Sequence, residues 1–183
     1  MGVLIFISVL IVLGLYFVAM YNGLVKLKNQ SEEAWSSIDI QLKRRHDLIP
    51  NLVETVKGYA SHEKDTLTKV IEARNMAMQA SGGIEKRAEA ENFLTGTLKS
   101  LFALSESYPQ LRANENFLHL QNSLNEIEDN IQNARRYYNA VVRDLNTKIE
   151  SFPTNIISGM FNFNKKEYFE IDEKEKEPVQ VKF

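Results

Sequence analysis

The chain has 183 residues, 22 basic and 24 acidic, for a net charge of −2. That length allows a membrane anchor plus one modest domain, and the balanced charge gives no footprint for a polyanion, so no nucleic-acid partner is expected. The sequence contains no cysteine, which excludes disulfides, thiol chemistry, Cys-ligated zinc and a cysteine-linked lipid anchor. Glycine and proline are scarce, 8 and 4 residues, as in a helical protein.

Residues 1–25 carry no charged side chain, the first being Lys26. About 20 helical residues cross the ~30 Å hydrocarbon core, so residues 1–21 are expected to be a retained transmembrane anchor. A cleaved signal peptide fits less well. No Lys or Arg precedes the apolar run, the run exceeds the usual signal length, and no A-x-A site follows. Phe6 stands where myristoylation needs Ser or Thr. Tyr16 and Tyr21 suit the membrane interface, and Lys26 and Lys28 beyond it place the large domain in the cytoplasm by the positive-inside rule.

Four helical stretches are expected behind the anchor. The first, 22–60, carries Leu24, Leu27, Trp35, Ile38, Leu42, Ile49, Val53, Val56 and Ala60 at steps of mostly three and four. No turn signal separates it from the anchor, so one rod is expected to leave the bilayer. "SHEKDT", 61–66, breaks the stripe: either a tight turn with Ser61 as N-cap, or a helix unbroken to residue 80. Leu67, Val70, Ile71, Ala73, Ala77 and Ala80 carry the second helix, which "SGG" at 81–83 ends. The third runs from Ile84 to about Ser107 with Ala88, Phe93, Leu94, Leu98, Leu101, Phe102 and Leu104 inward, before Pro109. The fourth places Phe117, Leu120, Leu124, Ile127, Ile131, Ala134, Tyr138, Val141 and Leu145 at alternating steps of three and four. That is a heptad seam, serving either the molecule's own core or an intermolecular coiled coil. Phe152–Pro153 stops it. The expected fold is all-α: an N-terminal transmembrane helix (1–21), an antiparallel four-helix bundle (22–152) and a short C-terminal extension (153–183).

In the extension, Met160, Phe161, Phe163, Tyr168 and Phe169 are candidate contact residues, covering either an end of the bundle or a neighbour. Val181 and Phe183 at the carboxylate end would suit a groove that captures C-termini.

"KRRHDLIPNL", 43–52, is the most charged stretch on the first helix. Successive helical residues turn by about 100°, so Lys43, Arg44 and Arg45 cannot share a face; the stripe puts Arg45 or His46 nearest the interior. Pro50 leaves the carbonyl of His46 without its helical donor. Asp47 is expected to cap the restarted helix, so that the stretch forms a bend, with Arg45, Asp47 and Asn51 bonded to the fourth helix near Asp129 or Asn130. Arg44, Arg45, His46, Asp47, Pro50 and Asn51 thus form either a structural joint or a contact patch for a neighbour. Headgroup binding is excluded for an upright rod. Arg44 lies about 30 Å past the bilayer, and the Debye length is only about 8 Å.

The stretches "YNGLVKLKN", "EEAWSSIDIQLKRRHDLIPNLVETVKGYASHEK", "ESYPQLRANENFLHLQNSLNEIEDNIQNARRYYN" and "FPTNIISGMFNF" with "YFEI" resemble, in that order, the LemA family of bacterial membrane proteins. The resemblance implies an antiparallel four-helix bundle on an N-terminal anchor, with no established enzymatic activity. It also implies links to magnetosome membranes in one branch and to membrane proteases. Some relatives carry a lipobox cysteine before the "YN", which implies an exported domain; here that position is Met20.

No catalytic constellation is legible. His62 lacks the second histidine of H-E-x-x-H, and the paired Glu-x-x-His motifs of di-iron bundles are missing. Glu115 and His119 read as a surface pair. No phosphate loop, nucleophile elbow or triad can be assigned. The chain is therefore expected to be a non-enzyme without cofactors: a single-pass membrane scaffold partnered by the bilayer through 1–21 and by copies of itself. An adaptor for a membrane protein such as a protease is the second reading, and a cryptic metal protein or enzyme the third.

Overall fold

The structure is a computed structural model and describes residues 1–169. Val181, Phe183 and the rest of the extreme C-terminus lie outside the described residues. All regular structure among the described residues is helical: α1 (Gly2–Lys57), α2 (Lys64–Gln79), α3 (Ile84–Ser105), α4 (Pro109–Arg112), α5 (Glu115–Glu150) and α6 (Thr154–Met160).

The helix limits follow from local chemistry. α1 ends at Lys57, and α2 begins at Lys64 behind Glu63. The first two helices are therefore separate, and Ser61 is not the cap, because the turn closes later than the stripe implies. Between α2 and α3, Gly82 and Gly83 have φ values of 111° and 115°, which side chains with a Cβ rarely adopt. Pro109 opens α4 at its first position, where its missing N–H costs nothing. Asn114 caps α5, its Oδ1 accepting from the Phe117 N–H at 2.9 Å.

The chain forms two compact units, Met1–Ser37 with Ala134–Tyr168, and Ile38–Asn133 with Phe169. In the second unit, Ile49, Leu52 and Val56 of α1 join Val70 and Ala73 of α2, Leu94 and Leu101 of α3, Leu111 of α4 and Phe117 of α5 in one core. Burying each large side chain contributes about 1.5–3 kcal/mol. This burial holds α2, a length that is marginal on its own, against α3. Phe93 is a correction. It is exposed, whereas Glu91 is buried, because the inward stripe of α3 runs 91, 94, 98, 101, 105.

In the first unit, Leu24, Leu145, Ile149 and Ile157 form the core, with Phe17, Tyr21 and Phe163 packed against it. The fourth-helix seam is buried or half-buried throughout. Before Phe17 every residue of α1 is exposed, and α1 contains an apolar window of 18 residues, none of them buried, that makes it long and apolar enough to cross a bilayer.

Candidate functional site: a buried ion cluster and a tail clamp

The charged stretch on α1 divides by face. Arg44, Asp47 and Asn51 are exposed, Pro50 is half-buried, and Arg45 and His46 are both buried. Arg45 is fully buried, and carboxylates and a hydroxyl surround its guanidinium. One guanidinium nitrogen, Nη2, pairs with Glu91 Oε2. The other, Nη1, donates to Glu128 Oε2 at 2.6 Å and Thr95 Oγ1 at 2.9 Å. His46 Nε2 lies 3.0 Å from the second oxygen of Glu91. One α1 turn therefore presents a guanidinium and an imidazole to one carboxylate on α3. Burial pushes the Glu91 carboxyl up, but His46 and the Arg45 charge outweigh that and hold it below its ordinary value.

Pro50 lies inside α1 and does not interrupt it. The helix restart expected at Asp47 is absent. Asp47 instead accepts from Lys43 at 2.6 Å, and that bond to a cation lowers its pKa. The orphaned His46 carbonyl accepts from Arg74 Nε of α2 at 2.7 Å. A charged donor reaching in from another helix replaces the N–H that proline lacks. Arg45 does bond the fourth helix, but at Glu128 rather than Asp129 or Asn130.

Chemically the cluster is a lock. The guanidinium bridges Glu91 of α3 and Glu128 of α5, pairing with one carboxylate oxygen of each. Among the groups that meet there, none is an activated nucleophile.

The second constellation lies in the first unit. α6 ends in a left-handed cap: Asn162 has φ 55°, and the Phe163 N–H bonds the Ser158 carbonyl at 2.9 Å. The cap swings two rings onto α1, with Phe161 4.8 Å and Phe163 5.8 Å from Tyr21 between centroids. The chain then runs back along α5. Asn146 holds it at Lys166 from both sides, donating from Nδ2 to the carbonyl and accepting the N–H at Oδ1, each at 2.9 Å. Tyr138 donates to the Glu167 carbonyl at 3.0 Å and packs its ring against Trp35. Burial, with the nearby Glu167 charge, raises the Tyr138 pKa to about 12, so the phenol is a donor at neutral pH. Lys165 pairs with Glu150, and Lys166 lies 3.4 Å from Glu32.

Of the expected tail contacts, Phe163 is half-buried and Phe169 buried, whereas Met160, Phe161 and Tyr168 are exposed. Sequence reasoning missed Glu91, Glu128, Thr95, Arg74, Asn146 and Asn162. Two carried a signal: Glu91 falls three before Leu94 on an apolar stripe, and Asn146 falls four after Val142.

The LemA family model matches residues 34–183. The chain belongs to the LemA family. Protein LemA of Metamycoplasma hominis is 26% identical, covering 90% of this chain and 75% of its own length. Magnetosome protein MamQ 2 of Paramagnetospirillum magneticum is 27% identical over 82% of this chain. Magnetosome protein MamQ of Magnetospirillum gryphiswaldense is 24% identical over 81%. The chain spans 64% of the length of these two magnetosome relatives. The ion cluster, at positions 45, 46, 91 and 128, falls within the part matched by the LemA family.

Proposed function

We propose that this LemA-family chain is a membrane-anchored helical scaffold without catalytic activity, organising protein assemblies at a bilayer surface. One observation carries the reading. Along α1 the large apolar side chains before Phe17 are exposed, with Leu4 at 69% and Leu10 at 52%, whereas Leu24 and Ile38 are fully buried. A helix that is apolar all round in one part and one-sided in the next matches a lipid-covered segment followed by a packed one. Behind the anchor we infer an antiparallel four-helix bundle built on α1, α2, α3 and α5, facing the cytoplasm by the Lys26 and Lys28 bias. The relatives named as magnetosome proteins support a role at a membrane. Confinement to a surface raises the effective concentration of neighbouring copies, so weak lateral contacts suffice for self-assembly.

Alkaline carbonate extraction of vesicles carrying the full chain tests the anchor, which requires the protein to stay in the pellet. Blue-native electrophoresis in mild detergent tests self-assembly. A concentration-dependent ladder supports the scaffold, and a monomer at every concentration overturns it. The alternative, an adaptor for a membrane protease or remodelling machine, draws on the exposed Met160, Phe161 and Tyr168. Crosslinking in intact membranes followed by mass spectrometry separates the two by what is attached.

A further inference from the structure

We propose that α6 and the turn before it form a second membrane contact, seated in the bilayer interface beside the spanning helix. This rests on the reading of α1 as a membrane anchor. α6 has two faces. Thr154, Ile157 and Ser158 are buried, while Ile156 is 54% and Met160 65% exposed. Phe152 before the helix is 81% exposed and Phe161 after it 47%. Ile156 and Met160 stand four residues apart within α6, so these two large apolar side chains share one face of the helix, and Phe152 and Phe161 flank it at either end. Clustered apolar exposure of this kind calls for a covering.

Its level relative to the anchor identifies that covering as lipid. The Phe161 ring lies 6.2 Å from Phe17 and 4.8 Å from Tyr21. Phe17 precedes Lys26, the first charged residue, by nine positions, about 13 Å along a helix. The end of α6 is thus held against the part of α1 that meets the membrane surface. The polar side fits the same depth. A cavity of about 480 Å³ beside these rings is lined by Tyr21, Phe161 and Phe163 together with Lys28, Lys165 and Lys166. Aromatic rings beside lysines are the composition found where acyl chains give way to headgroups. The extension would act as a stay: two points of immersion fix the tilt of α1, which one helix cannot do alone.

The test uses full-length protein at one copy per nanodisc of phosphatidylcholine and phosphatidylglycerol, with Trp35→Phe removing the native fluorophore. Single probes are introduced as Phe152→Trp, Met160→Trp and, deep in the span, Leu10→Trp. Lipids brominated high on the acyl chain should quench most of the emission of the first two, while aqueous acrylamide quenches little. Either α6 probe suffices if the other variant fails to fold. Quenching by acrylamide but not by bromolipid, or shielding from both, overturns the inference. Quenching of the Leu10→Trp probe alone leaves the anchor standing and removes the α6 contact. If bromolipid quenches none of the three, the anchor falls as well.

Discussion

Arg74 Nε donates at 2.7 Å to the carbonyl of His46, the acceptor four residues before Pro50 that has no helical donor. A proline within a packed helix is thereby made tolerable by a cation from the neighbouring helix. Removing the guanidinium should cost about 1–3 kcal/mol, the usual penalty for a buried acceptor left unmade. Denaturant unfolding of detergent-solubilised Arg74→Ala checks this. In a Pro50→Ala background residue 50 regains its N–H, and the same substitution should cost clearly less. Equal costs in both backgrounds would show that the two residues are not coupled.

Arg45 and Glu91 are a buried pair, with side chains 1% and 0% exposed. Arg45→Met should destabilise by about 3–5 kcal/mol, because Glu91 is left charged without its guanidinium. Arg45→Met combined with Glu91→Leu should recover most of that loss, since an apolar replacement of both partners avoids the stranded charge. A neutral Arg45→Met in thermal unfolding contradicts the structural role given to the cluster.

The same carboxylate sets an acid limit. The folded pKa of Glu91 is lowered from 4.5, so its stabilisation is complete above the unfolded value. It is lost as pH falls through the folded one. The wild type should therefore be more stable than Glu91→Gln at neutral pH, and the gap should close on acidification below about 4.5. A gap independent of pH between 7 and 3 means that Glu91 does not ionise in the folded protein.

Asn146 clamps the return segment through two bonds at Lys166. Asn146→Ala should free residues 164–168, and limited trypsin treatment followed by mass spectrometry should show faster cleavage after Lys165 and Lys166. Asn146→Asp keeps the acceptor but sets a carboxylate against the Lys166 carbonyl, so it should release the segment too. Unchanged cleavage in both variants would place the hold elsewhere.

Asn162 adopts φ 55° at the end of α6. Asn162→Gly should fold at least as well, whereas Asn162→Val should lose about 1–2 kcal/mol through the Cβ clash in the left-handed region. Thermal unfolding of the two variants distinguishes a strained cap from an indifferent loop.

Much of this molecule is local chemistry, and local chemistry is legible along the chain. The charge-free run before Lys26, the turn at Gly82 and Gly83, and the seam from Phe117 to Leu145 are determined by composition and period alone. Both act over a few residues, and the helix repeat converts them directly into direction. The same period puts Arg45 or His46 nearest the interior, and the structure buries both. What a period cannot carry is the identity of the partner on another helix. Glu91 meets Arg45 across 46 positions, Arg74 meets His46 across 28, and Asn146 meets Lys166 across a reversal of the chain. Each buried polar group takes whichever donor or acceptor packing brings within about 3 Å, and that choice belongs to the tertiary structure.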